Sequence, residues 1–196
     1  MRWTERYSFM NKYNWFILLG SFILFYGCSG GNTAESLDPD EHKFFGVEDY
    51  FQSEIERLNQ EQPAVTKTLN LNGKEDVLQP DSVDFAAELE VFSNSGINKV
   101  SWLDRYTADT TRTADGALQQ TRYEAQDDKL RTRLVEVTYS DGDPSRVYIR
   151  NRTENLVLNA SQQLTYRPAE EVIIEQQQRI RFLKPNTLRI HIQFNR

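Results

Sequence analysis

The second half of the chain alternates with a period of two. From about residue 106 onward, Val135, Val137 and Tyr139 alternate with Leu134, Glu136 and Thr138, and Val147 and Ile149 alternate with Arg146, Tyr148 and Arg150. Leu156, Leu158, Ala160, Leu164 and Tyr166 form the next apolar set, Val172, Ile174, Ile180 and Phe182 follow, and Leu188, Ile190, Ile192 and Phe194 close the series. Successive side chains of an extended strand point to opposite faces, so each set marks a strand with one buried and one wet face. The gaps between sets are short and carry turn residues: Asp127-Asp128-Lys129, Asp141-Gly142-Asp143-Pro144, Glu154-Asn155 and Lys184-Pro185-Asn186-Thr187. Strands joined by so few residues pair antiparallel with their neighbours. Residues 105–196 therefore predict a meander of about five or six long strands.

A sheet with one apolar face needs a cover, and the first half of the chain offers two helices. Val47, Tyr50, Phe51, Ile55 and Leu58 fall at helical spacing across residues 46–60, which end before Pro63. Asp81 is positioned to cap a second helix whose stripe is Val83, Phe85, Ala86, Leu89 and Phe92, with Gly96 as its stop. Between them, residues 65–71 and 74–78 flank Asn72-Gly73, the strongest two-residue hairpin signal. The expected fold is α+β: two amphipathic helices packed on one face of a long-stranded antiparallel β-meander, curled by strand twist toward a half-barrel around them. This single domain covers residues 45–196, with its helical part at about 45–104.

Ahead of the domain, Arg2, Arg6 and Lys12 precede an apolar run over residues 15–26 that ends in Gly27-Cys28-Ser29-Gly30-Gly31. A charged region followed by about a dozen apolar residues describes a secretory signal, whereas a spanning helix needs about 20. Cys28 is the only cysteine. This end resembles a bacterial lipobox, which implies that the Cys28 thiol becomes a lipid thioether, that residues 1–27 are removed as a signal peptide, and that the mature chain begins at Cys28. The alternative keeps residues 15–26 as an uncleaved anchor and Cys28 as an idle thiol. Residues 28–44 are polar and acidic and predict a flexible tether.

The formal net charge is −6, and loss of residues 1–27 makes it about −8. Such a chain is repelled by phosphate backbones and by anionic lipid heads, which argues against nucleic acid as a partner and against a polybasic second membrane contact, leaving the lipid chains to do the anchoring. One acyl chain binds a bilayer only marginally, so stable attachment requires a modification with two or three chains.

The residues that carry enzyme chemistry do not converge. His42 lies in the tether and His191 on the polar side of the last strand, neither with metal-ligand neighbours at the right spacing. Gly-x-Ser-x-Gly and glycine-rich phosphate motifs are absent. Asp127-Asp128 and Glu170-Glu171 read as solvated strand ends, and Asp141-Gly142-Asp143 as a turn lacking the Glu of a calcium loop. The polar side of the sheet is rich in arginine: Arg131, Arg133, Arg146, Arg150, Arg152, Arg179, Arg181 and Arg189. It is either a binding surface for an anionic or peptidic partner or a soluble face in which arginines pair with Glu136, Glu154 and Glu175. Trp102, Leu103 and Tyr106 form an aromatic cluster that serves as a plug between helix and sheet or as an exposed platform.

The segments 97–106 (INKVSWLDRY), 127–130 (DDKL) and 155–166 (NLVLNASQQLTY), together with the lipobox end, resemble the uncharacterised lipoproteins of Bacteroidota-type bacteria. The resemblance implies a lipid-anchored protein of the cell envelope. Ser29 after Cys28 resembles lipoproteins sent on to an outer membrane. Asp109-Thr110-Thr111 and Asp81-Ser82-Val83 resemble the short sites at which such bacteria attach O-glycans. The functional expectation is a non-enzymatic module without cofactor or metal, held to the membrane by its N-terminal lipid and binding another envelope protein or a peptide. The alternatives are a carrier or sensor of an apolar ligand held between helices and sheet, and an enzyme of unfamiliar type.

Overall fold

The computed structural model describes residues 43–195; Cys28 and the expected signal segment lie outside the described residues. The elements in chain order are α1 (Val47–Glu61), β1 (Val65–Leu71), β2 (Lys74–Leu78), α2 (Phe85–Ser93), a 3-10 turn (Val100–Trp102), β3 (Tyr106–Arg112), β4 (Leu118–Ala125), β5 (Thr132–Ser140), β6 (Asp143–Glu154), β7 (Leu158–Arg167), β8 (Glu171–Ile180) and β9 (Asn186–Phe194). All nine strands form one antiparallel sheet in the order β2-β1-β9-β8-β7-β6-β5-β4-β3. The fold is α+β, with both helices packed on a long antiparallel sheet.

Local chemistry accounts for the elements. Asn72 and Gly73 both take positive φ, 53° and 85°, as the tight hairpin between β1 and β2 requires, and Asp141-Gly142 repeats this between β5 and β6 at 54° and 93°. Helix α1 buries Val47, Phe51, Ile55 and Leu58 and closes on Gln62 in the left-handed conformation, just before Pro63. Helix α2 buries Phe85, Leu89 and Phe92. Its cap is Asp84, whose Oδ1 accepts from the Ala86 and Ala87 N–H groups at 3.1 and 3.2 Å; the expected cap, Asp81, stands three residues too early. Only a residue whose side chain reaches the free N–H groups of the first turn can act as the cap.

The core lies between the helices and one face of the sheet. Val135, Val137, Val147, Ile149, Leu164, Tyr166, Val172, Ile192 and Phe194 meet Phe51, Leu58, Phe85, Leu89 and Phe92 there. Phe51, Phe92 and Tyr166 stack on one another with ring centroids 4.8 to 6.3 Å apart. Phe44, which the tether was expected to include, is buried against the rings of Tyr106 and Tyr123, so the ordered domain begins before residue 45.

Three expectations are corrected. The meander contains seven strands, because the polar segments 106–112 and 118–125 pair as well, and the β1–β2 hairpin joins the same sheet beside β9. The sheet is open, with β2 and β3 as its edges, and does not curl into a half-barrel. Nine strands span about 38 Å at the usual spacing, while helices of 15 and 9 residues are only about 22 and 14 Å long. They provide too little bulk for so broad a sheet to wrap. Finally, Leu156 and Phe182 do not belong to the core face: they sit in turns and are 88% and 92% exposed.

Candidate binding face

Helices cover one side of the sheet, and the alternation of the strands dictates what the other side carries. Its centre is a ladder of ion pairs across adjacent strands. Glu136 on β5 accepts from Arg122 on β4 and from Arg146 on β6, each at 3.2 Å. Glu124 joins Arg122 at 3.1 Å and Arg150 at 3.8 Å. The hydrogen bond it donates to Glu124, reinforced by Glu136, holds the Arg122 guanidinium above its ordinary pKa. Leu134, also on this side, is buried beneath the ladder, outside the main core cluster.

The expected arginine surface divides into paired and unpaired parts. Arg152 pairs with Glu154 at 2.7 Å and Arg189 with Glu175 at 3.5 Å, so all three expected carboxylate partners, Glu136, Glu154 and Glu175, are engaged. Arg133 is turned into the β4–β5 loop, bonded to Asp128 and to the Asp127 carbonyl. Arg131 leaves the polar face and donates to the Asn94 carbonyl at the end of α2 and to Gln162. Arg179 and Arg181 have no ion-pair partner among the described residues; Arg181 lies 5.0 Å from the Phe182 ring centroid.

Trp102 and Tyr106 do not join this face. Tyr106 is buried and its hydroxyl donates to the Thr132 carbonyl at 2.7 Å; burial pushes its pKa up to about 12. Trp102 and Leu103 are partly buried against the same core, with the Lys99 ammonium 4.3 Å from the Trp102 ring. The cluster thus plugs the passage from helix to sheet.

Periodicity alone does not reveal a shallow trough of about 180 Å³ on the open face, where Asn70, Ser161, Gln163, Gln177, Thr187 and Arg189 meet from β1, β7, β8 and β9. Its amides and hydroxyls offer donors and acceptors of the kind that read peptide groups or sugar hydroxyls. The missing signal was the pairing of β1 with β9, a contact between residues more than a hundred positions apart. A wider recess of about 620 Å³ lies at the β7–β8 turn, lined among others by Arg167, Glu171 and Gln193. There Glu171 already holds Arg167 at 2.6 Å and His191 at 3.0 Å.

A second polar cluster lies under α1. The Tyr166 hydroxyl bonds the Glu54 carboxylate, which Arg57 also grips at 2.8 Å. Burial, with the Glu54 bond and charge added, raises the Tyr166 pKa far above that of a free phenol. This arrangement fixes helix to sheet with every group bonded. Among the described residues, no group of three or more His, Cys, Asp or Glu side chains could hold a metal ion, and no helix is long and apolar enough to cross a membrane. Comparison with protein-family models, curated proteins and solved structures finds no match to this chain.

Proposed function

We propose that this chain is a lipid-anchored protein of the cell envelope, attached through Cys28, directed to the outer membrane, and working by binding a partner and not by catalysis. The observation that supports a binding role is the uncovered face of the sheet, where a polar trough that includes Gln177 and the paired Glu175 and Arg189 opens two positions along β8 from Arg179, an arginine without an ionic partner among the described residues. Along the rest of that face the arginines are neutralised by neighbouring carboxylates. The partner that fits is an extended polar segment of another envelope protein: its peptide groups find the amides of Gln163 and Gln177, and an acidic side chain finds Arg179. A carrier of apolar ligands fits less well, because Phe85, Leu89 and Phe92, with no exposed surface, occupy the space between helices and sheet that the ligand would need.

Two measurements test this reading separately. Intact mass spectrometry of the membrane-extracted protein gives a chain beginning at Cys28 with two or three acyl groups; an unmodified chain retaining Met1 refutes the anchor. Photo-crosslinking from Gln177 in intact cells gives a discrete adduct that Gln163→Arg and Arg179→Glu remove. An adduct unaffected by both changes refutes the trough as the binding site.

A further inference from the structure

The four most exposed large apolar side chains among the described residues lie together at one end of the sheet. The β6–β7 and β8–β9 turns lie side by side, with the Arg181 N–H donating to the Val157 carbonyl at 2.8 Å. Together they present Leu156, Val157, Phe182 and Leu183 at 88%, 59%, 92% and 63% exposure. Phe182 holds a φ of 69°, a left-handed conformation that glycine or asparagine adopts far more readily than a bulky side chain. A polar residue there would be cheaper in water on both counts.

The surroundings of these turns indicate what they meet. Residues 179–189 contain Arg179, Arg181, Lys184 and Arg189 and no acidic residue, in a chain whose net charge is −6; Arg189 is paired with Glu175, and the end of β6 adds Arg152 and Glu154, which neutralise each other. Apolar side chains at the tip with basic groups just behind them match the two layers of an anionic bilayer surface. The turns also protrude. Asn151 pairs with Thr132, where β5 begins, and β6 runs three residues further before it turns, about 10 Å beyond that level. The chain enters the domain at this same end of the sheet, where Phe44 packs on Tyr106 and Lys43 donates to the Leu103 carbonyl at 2.7 Å. From Cys28 to Lys43 the backbone can extend about 50 Å. The β3 edge stands five strand spacings from β8, about 24 Å, so a lipid on Cys28 and the two turns can reach one membrane together.

We propose that the paired β6–β7 and β8–β9 turns form a second membrane contact, inserting Leu156, Val157, Phe182 and Leu183 into an anionic lipid surface, with Arg181 and Lys184 at the headgroups. The proposal rests on the anchoring through Cys28 and determines which end of the domain faces the bilayer. The trough then lies beside the membrane surface.

The test uses the full chain with Leu183→Cys, labelled with an environment-sensitive fluorophore and reconstituted into vesicles of phosphatidylcholine and phosphatidylglycerol. A second sample carries the label at Ser140→Cys, at the opposite end of the sheet. Lipid-borne nitroxide is expected to quench the Leu183 label strongly and the Ser140 label hardly at all. Phe182→Ser with Leu156→Ser should lower the first signal to the level of the second, and these side chains are too exposed for their loss to unfold the domain. Replacing Arg181 or Lys184 by Gln should reduce the inserted-to-free ratio about fivefold each. Equal quenching at both labels overturns the proposal. So does protection of the Leu183 label that rises with protein density and ignores the nitroxide, which would identify a second copy as the occupant. The intact mass of the same samples shows whether Cys28 carries lipid or fluorophore, so failure of the anchor is read independently of failure of the turns.

Discussion

Ser95→Ala should destabilise the domain far more than loss of a surface hydroxyl would. Ser95 follows α2 and has no exposed surface; its Oγ donates to the Val91 carbonyl at 2.7 Å and accepts from Asn151 Nδ2 on β6 at 2.8 Å. Asn151 is 2% exposed, and its Oδ1 has no partner among the described residues. Removing the Ser95 hydroxyl would therefore leave the whole Asn151 amide buried and unbonded. A buried polar group deprived of its partner costs about 1–3 kcal/mol, more than the net value of the bond itself. A loss near 2 kcal/mol is expected, equivalent to roughly 4–8 °C in melting temperature for a domain of this size. Replacing Asn151 by Leu in the same chain removes the stranded amide and should restore stability to within about 1 kcal/mol of the parent, since substituting both partners by apolar groups is nearly neutral. Urea denaturation of the detergent-extracted protein, followed by tryptophan fluorescence, measures all four corners of this cycle. A neutral Ser95→Ala, or a double variant weaker than either single one, would refute the packing of the α2 end onto β6.

Three further outcomes follow from the structure. Asp84→Ala should cost about 1 kcal/mol by uncapping α2 while Asp81→Ala costs nothing measurable; equal effects in the same denaturation assay would reassign the cap. Ile192→Asp should abolish cooperative unfolding, since Ile192 is fully buried on the helix side, while His191→Ala, on the opposite side, should leave the domain folded; equal damage from both would mean that the β9 register is wrong. Tyr106 contributes to an alkaline limit that it shares with Tyr50, Tyr139 and Tyr166, all raised by burial. Its folded pKa is raised from 10.0 to about 12, so the stability it contributes is fully present below pH 10 and is lost as pH rises from 10 through 12. Tyr106→Phe should reduce that part of the slope in melts recorded across this range, and an unchanged slope would count against the burial of the hydroxyl.

How much of this could be read in advance depended on how local the determining chemistry was. The β1–β2 hairpin was legible residue for residue because Asn72-Gly73 supplies two positive φ angles. Helix α1 was legible because four buried residues repeat at helical spacing. The segments 106–112 and 118–125 contain too few apolar residues to alternate visibly, so β3 and β4 were not counted, although they complete the sheet. The pairing of β1 with β9, and with it the trough, depends on a contact across most of the chain that no short pattern encodes. The arginine face was legible in position only in part, since Arg131 leaves it for the end of α2 and Arg133 turns into the β4–β5 loop, and not in charge. Which guanidiniums remain available depends on cross-strand register, and register placed Glu136 between Arg122 and Arg146 while leaving Arg179 opposite Asn159.

Leu156 and Phe182 show where alternation stops predicting burial. Both continue the parity of the strands beside them, and counting alone assigns them to the core. Parity, however, has a consequence only while a strand remains paired: β7 begins at Leu158 and β8 ends at Ile180, and these two residues are paired with each other at the last rung. Beyond that rung Leu156 and Phe182 belong to the turns, outside the paired strands, and they are 88% and 92% exposed. The burial that accounts for every other large apolar set in this half of the chain therefore does not account for these two. Their apolar character, next to a run of basic residues and at the end of the sheet where the chain enters the domain, is what the proposed contact with a lipid surface would explain, since such a surface matches both layers.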